Sequence, residues 1–370
     1  MSLANLRTYR KAINKFVMFT LFLSLINLNI PQIANAESVD QEVLDFVETI
    51  FVSKNKAVLE KDLELIDTLY ATDTKYGQWA YEYEERKVKY INNWAEKQGI
   101  KFVDIIPKIV VRSSKKNGTE KCYFNILCNT EYKYVYEDKP DEVNSSRIGT
   151  YHSMTLTNRD GQWIITKEWY TDPFADSLSL ENIKAQDIKE YIAAQPGRDM
   201  SEINERRRNA VAYAMQYCGA ATAPEYGFKY NKKYRDFNPE GGDCANFASQ
   251  IMFESGRFEK NATWNYSEGA GTKAWVNAQA FKNYLLYSGR GSLLTKGTFE
   301  EVYKEAYFLR PGDIVGYEKG GRITHVSTVT GLDSKGYPLV TCHNTDRLLV
   351  PWDLGWSDKD IKFHIIKVNY

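Results

Sequence analysis

The spacing of apolar residues changes once, and sharply, along the first half of the chain. From residue 39 to about 99 they recur at intervals of three and four. Val43, Phe46, Val47, Ile50 and Phe51 therefore fall on one face of a helix. A second helical stretch covers 61–70, and a third, rich in Tyr, Trp, Glu and Lys, runs over 76–98. At Ile100 the texture becomes that of strands. Residues 103–111, 120–136, 145–158 and 162–170 carry β-branched and aromatic residues. Turn-forming segments part them: Lys115-Lys116-Asn117-Gly118, Asp138-Lys139-Pro140-Asp141 and Asn158-Arg159-Asp160-Gly161. Helices first and an antiparallel meander after them predict an α+β unit.

The element order of this first unit, with its closing Trp163–Trp169 strand, resembles the SnoaL-like cone. The resemblance implies N-terminal helices packed on a curved antiparallel sheet. A connector with Pro173, mixed polarity and Pro196-Gly197 follows, and holds a short helix over about 180–193. The second unit opens near Ser201. Helices are expected over 204–217, from Cys244 onward and over 274–286, and strands over 314–317, 323–330, 338–343, 348–352 and 363–368. The boundaries read as 37–175 for the first unit, 176–200 for the linker and 201–370 for the second.

The first residues have the form of a secretory leader. Arg7, Arg10, Lys11 and Lys15 precede an apolar run over 16–26, and Ala34-Asn35-Ala36 has the small-x-small form of a cleavage site. The apolar run is short for a membrane span, and Asn27 and Asn29 end it. A protein that is secreted or held at the cell envelope is expected, touching the membrane only during export. The formal net charge of the whole chain is +0, and removal of 1–36 takes away four positive charges and no negative ones. This balance gives no support to a nucleic-acid partner. A monomer is expected, and no cofactor or metal is called for.

Five cysteines are too few for a disulfide scaffold. Cys122, Cys128 and Cys218 read as buried apolar thiols. Cys244 is different. It follows Gly241-Gly242-Asp243, and Ala245, Ala248, Ile251 and Met252 after it repeat at helical spacing. A thiol at a helix N-terminus meets unpaired N–H groups and the positive end of the helix dipole, both of which favour the nucleophilic thiolate. Asp243 reads as the helix cap. A nucleophilic cysteine needs an oriented base. Of four histidines, His152 belongs to the first unit and His364 to the last strand, which leaves His325 and His343. They sit on strands joined by a short turn, so one can serve as base while the other, or Asn344, orients it. His343 and Asn344 fall on opposite faces of a strand, so at most one points into the site. No Cys-x-x-Cys, His-Glu-x-x-His or Gly-x-Ser-x-Gly spacing supports a metal site or a serine hydrolase.

A helix-borne Asp-Cys, Pro311-Gly312-Asp313 opening a strand, a strand histidine and a polar residue on the next strand resemble the papain-like NlpC and CHAP cell-wall hydrolases. The run Gly242-Asp243-Cys244-Ala245-Asn246-Phe247-Ala248-Ser249-Gln250 is similar, more closely, to the signature of the putative amidase domain of secreted and sporulation proteins of Firmicutes. The likeness covers about 202–370. It implies a papain-like α+β domain, with Cys244 as nucleophile, His325 as general base, and His343 or its rival Asn344 in the orienting place. The activity it implies is hydrolysis of amide bonds in a peptide or peptidoglycan-type substrate through an acyl thioester. The alternative is a non-catalytic secreted module that binds wall or peptide.

Overall fold

The computed structural model describes residues 39–174, 177, 186–201 and 203–370. The leader read at 1–36 and the first half of the connector helix lie outside these residues. Helix α1, Gln41–Glu60, buries Val43, Val47, Ile50, Phe51, Ala57 and Val58, the stripe that the spacing of three and four announces. After the short α2, Glu64–Asp67, helix α3 spans Lys75–Gln98. Thr74 Oγ1 accepts from Gly77 N to start α3, and Gly99, at φ 77°, ends it in the left-handed conformation that glycine favours.

The strands β1, Ile100–Asn117, β2, Lys121–Tyr136, β3, Lys139–Arg159, and β4, Gln162–Tyr170, form an antiparallel meander. Alternate residues of β2, from Cys122 through Phe124 and Ile126 to Cys128, enter the core beneath α1 and α3. The connector contributes α4, Gln186–Ala194.

The second unit begins with α5, Glu205–Tyr217, where Asn204 Oδ1 accepts from Arg207 N at 2.9 Å. Helix α6, Cys244–Gln250, runs into a π-helical turn at Ile251–Ser255. A two-residue hairpin pairs β5, Tyr266–Ser267, with β6, Ala270–Gly271. The single helix expected over 274–286 is two, α7, Lys273–Val276, and α8, Ala278–Tyr287. Asn277 separates them, because its side chain leaves the helix to accept from Ala280 N at 3.0 Å. Strand β7, Gly291–Gly297, and helix α9, Phe299–Ala306, come next and were not anticipated. The sequence carries a signal for α9 in the reciprocal capping box of Thr298 and Glu301. Strands β8, Ile314–Lys319, β9, Arg322–Leu332, β10, Pro338–Cys342, β11, Arg347–Pro351, and β12, Ile361–Val368, complete the chain.

Both units share one sheet. Among the described residues its order is β1-β2-β3-β11-β10-β9-β8-β12-β7, with β4 also paired to β3. The seam is short: Arg347 pairs with Ile148 and Leu348 with Arg147. Gly149 lets β3 press close to the second unit, since a Cβ there would lie 2.4 Å from the Ala220 Cβ. The tip of the β9–β10 hairpin reaches back across the seam. Asp333 Oδ2 accepts from the hydroxyls of Tyr136 at 2.7 Å and Tyr134 at 3.3 Å, and Lys335 Nζ donates to Ala193 O at 2.6 Å. Helices α6 and α8 cover one face of the second unit's sheet, with Ile314, Ile323 and Val326 beneath them. The other face, with Val315, Tyr317 and Phe363, joins the core of the first unit. The class is α+β. Among the described residues no helix is long and apolar enough to cross a membrane.

Candidate active site

Cys244 is the first residue of α6, and every residue of that helix is buried. The chain enters through Gly241 at φ 115° and Gly242 at φ 134°, conformations that side chains rarely adopt. A Cβ on Gly242 would also sit 2.8 Å from Asn344 Nδ2, so the second glycine is what lets the Asn344 amide rest on the loop. The cysteine sulfur meets the backbone N–H groups of Val326 and Ala245. Burial nonetheless dominates and pushes the thiol pKa up to about 12, so the two N–H groups only moderate the cost of the thiolate. At neutral pH Cys244 is a protonated thiol.

His325 lies on β9 directly opposite Tyr317 of β8. Its imidazole therefore leaves the sheet on the Tyr317 face, where the two ring centroids are 5.5 Å apart. Trp356 stacks on the same imidazole at 5.2 Å and 29°. Val326, the next residue, points to the face that α6 covers. The thiol thus reaches β9 at the peptide that follows His325, while the imidazole lies on the other side of the strand. No hydrogen bond joins the two side chains. His325 Nε2 is buried and has no hydrogen-bond partner among the described residues. Burial, reinforced by the charge of Arg347, lowers the His325 pKa to about 3, which leaves the ring neutral.

His343 and Asn344 stand outside β10, in a turn that joins it to β11. Asn344 and Thr345 have φ values of 69° and 68°, so the expected opposition of strand faces does not apply to them. His343 Nδ1 donates to Asp243 Oδ2 at 2.6 Å and Nε2 donates to the Tyr217 carbonyl at 2.7 Å. A carbonyl and a carboxylate can only accept, so both ring nitrogens carry protons and the ring is an imidazolium. Burial alone would lower its pKa. The hydrogen bond and charge of Asp243, the charge of Asp346 and the Tyr217 carbonyl outweigh burial and raise it. Phe247 and Tyr230 enclose the ring, with centroids 3.6 Å and 3.9 Å away and interplanar angles of 7° and 16°. Neither nitrogen is free to take a proton from Cys244.

Asp243 does not cap α6 through its side chain. Oδ1 accepts from Phe237 N at 3.0 Å and from Asn246 Nδ2 at 2.8 Å, while Oδ2 holds His343. The residue before the cysteine is thus tied to the aromatic loop, to its own helix and to the turn after β10. The structure brings Cys244, Asp243, His343 and Asn344 to one end of α6, and places His325 across β9 from them. Sequence reasoning missed Asp243 as a partner of His343, and missed Tyr217, Tyr230, Arg347 and Trp356 entirely. Only Asp243 was advertised, by its place beside Cys244.

The remaining histidines are engaged elsewhere. His364 Nε2 pairs with Glu318 Oε2 at 2.8 Å. His152 Nδ1 pairs with Glu168 Oε1 at 2.9 Å, inside a buried network of the first unit where Lys54 Nζ donates to both Glu168 oxygens. The five cysteines are unbridged.

Residues 204–366 match the family model described as a putative amidase domain. The uncharacterized protein YjcM of Bacillus subtilis (strain 168) is 31% identical over 163 residues, which are 41% of this chain and 36% of that protein. The chain therefore aligns with little more than a third of the length of this relative. Among solved structures, the intermembrane space region of the chloroplast protein ARC6 aligns over 36% of this chain and 98% of its own, at 11% identity and a TM-score of 0.27. A putative calcium/calmodulin dependent protein kinase II association domain from Xanthomonas campestris aligns over 36% and 88%, at 16% identity and a TM-score of 0.23.

Proposed function

We propose that the second unit is a cysteine-dependent amidase of the cell envelope, secreted by way of the leader at 1–36 and acting on amide bonds of wall peptides. The match of residues 204–366 to an amidase domain supports amide hydrolysis in general. One observation carries the cysteine mechanism: the Cys244 sulfur stands at the start of α6 against the N–H of Val326, the residue that follows His325. In this reading the His325 imidazole turns around β9 to reach the sulfur and takes the thiol proton as the sulfur adds to the substrate carbonyl carbon. The C–N bond then breaks, the amine departs with that proton, and a thioester remains on Cys244. Water, deprotonated by the same imidazole, releases the acid and restores the thiol. The Cys244 N–H at the helix start is the first donor to the oxyanion. The Asp243–His343 pair fixes the loop that carries the nucleophile and takes no part in proton transfer.

A second reading, a wall- or peptide-binding module without catalysis, draws on the neutrality of the pair. The Cys244 pKa is pushed up to about 12 and that of His325 down to about 3, with no hydrogen bond between them. The two readings part on one experiment. The mature protein and its Cys244→Ala variant are incubated with muropeptides and with purified wall fragments, and released amines are followed by mass spectrometry. Turnover by the wild type that is absent in the variant supports the amidase. Retention of the fragments without turnover, equal in both, supports the binding module.

A further inference from the structure

The chain that leaves β11 crosses the candidate base before it enters β12. Trp356, in this crossing, stacks on Tyr317 at 4.2 Å and 22° and on His325 at 5.2 Å and 29°. Residues of the first unit and of the connector hold the segment in place. Gly355 N donates to the Tyr90 hydroxyl of α3 at 2.9 Å, and the same hydroxyl lies 2.8 Å from Ser357 Oγ. Trp94 Nε1, also on α3, donates to Asp353 Oδ2 at 2.9 Å, and Ser357 N donates to Ser177 Oγ at 2.8 Å. Gly355, at φ 88°, lets the chain pass against Pro173, whose carbonyl oxygen would lie 2.4 Å from a Cβ there. Arg347 reaches from β11 to both sides, donating to Leu354 O and to Pro173 O at 2.5 Å each. Within the second unit, Tyr337 donates to Asp353 Oδ1 at 2.7 Å.

We infer that Trp356 is a positioning residue through which the first unit holds His325 away from the Cys244 thiol, so that the grip of α3 on residues 353–357 sets the reactivity of the cysteine. The inference rests on reading Cys244 and His325 as nucleophile and base. Tyr317 from β8 and Trp356 flank the imidazole, and Arg347 from β11 lies over the Trp356 ring. Tyr317 and Arg347 are fixed by the sheet. Trp356 alone sits on a segment whose anchors lie largely on another unit, so it is the wall that can withdraw. Its withdrawal opens the face of the imidazole to water and frees the ring to turn around β9, which β10 flanks only from Thr328 onward, toward the thiol on the other side of the strand.

The test uses the full mature chain with Trp356→Ala, Trp356→Phe and Tyr90→Phe, each alone and combined with His325→Ala. Iodoacetamide labelling of every cysteine is followed against pH, and the His325 ring is titrated by NMR. Trp356→Ala and Tyr90→Phe are expected to raise the His325 pKa by about one unit, a factor of about ten in its protonation equilibrium. Labelling of Cys244 at neutral pH should then accelerate severalfold, since the freed imidazole can reach the thiol and take its proton, and the thiolate is the reacting form. The gain should vanish in the His325→Ala combination, and Trp356→Phe should return wild-type behaviour. If His325→Ala slows Cys244 equally in the wild type and in Trp356→Ala, the base is already engaged and the inference is overturned while the mechanism stands. If His325→Ala changes nothing in any background, the mechanism itself fails and the inference with it. Equal acceleration at Cys218 and Cys342 would mean general loosening and would also overturn it.

Discussion

His343 donates Nδ1 to Asp243 Oδ2 at 2.6 Å, and Asp243 is the residue immediately before Cys244. Both side chains are 1% exposed. Removing one member of such a pair leaves the other charge buried and alone. His343→Ala should therefore destabilise the protein by about 3–5 kcal/mol. Urea unfolding measures this, and a double-mutant cycle with Asp243→Asn isolates the coupling. The pH dependence has a definite sign. The folded pKa of His343 is raised above the ordinary imidazole value of 6.5. Its contribution is thus fully present below about pH 6.5 and is lost as pH rises through the folded value. The stability gap between wild type and His343→Ala should narrow on the alkaline side, and a gap constant with pH would contradict the imidazolium.

Cys244→Ala should abolish both alkylation at position 244 and amide turnover while leaving the fold intact. The substitution removes one sulfur from a small buried site, a loss of about 1 kcal/mol by comparison with single-methylene truncations. Thermal unfolding together with a muropeptide assay checks the pair of outcomes.

Asp333 accepts four hydrogen bonds, from Tyr134, Tyr136, Lys335 N and Tyr337 N. Burial still pushes its pKa from 3.8 up to about 6. The folded state therefore holds this proton more tightly than the unfolded chain, and stability falls as pH rises from about 4 to about 6. In Asp333→Asn the side-chain oxygen can keep the two N–H groups while its amide donates to the tyrosine hydroxyls. The variant should lose this acid-range slope, a difference of roughly 1–3 kcal/mol across the window. Urea midpoints at pH 4 and pH 7 for both proteins measure it.

Thr345 occupies the left-handed region at φ 68° in the turn after β10. A β-branched residue is strained there, and glycine is not. Thr345→Gly should stabilise the protein by about 0.5–1 kcal/mol, the strain relieved less the added freedom of the unfolded chain. The thermal midpoint reports the gain.

Hydrophobic spacing made the first unit readable, because α1 and the meander each bury one face and their periods differ. Val43, Val47 and Ile50 at helical spacing and Cys122, Phe124 and Ile126 at alternate positions leave little ambiguity. The place of Cys244 was equally legible, since two glycines and a helical repeat bracket it. The surroundings of His325 were not. Trp356 reaches it only because α3, more than 250 residues earlier, holds Gly355 and Ser357, and no local pattern encodes a contact across that distance. Position in the chain likewise hid the role of His343. A strand ending at His343 suggested a base or its orienter, but the turn at Asn344 and Thr345 aims the ring at Asp243 and Tyr217. Asn277 shows the converse, a local polar residue that interrupts an apolar helical repeat to cap the next helix.

The seam between β3 and β11 bears on how the two halves can be handled. Through Ile148 and Arg147, β3 covers the outer margin of β11. A fragment starting at residue 201 would present that margin bare, with backbone donors and acceptors ready to recruit a strand from another copy. The second unit is thus shielded from self-association by the half that precedes it, and a truncated version should precipitate or form intermolecular sheet where the intact chain stays dispersed.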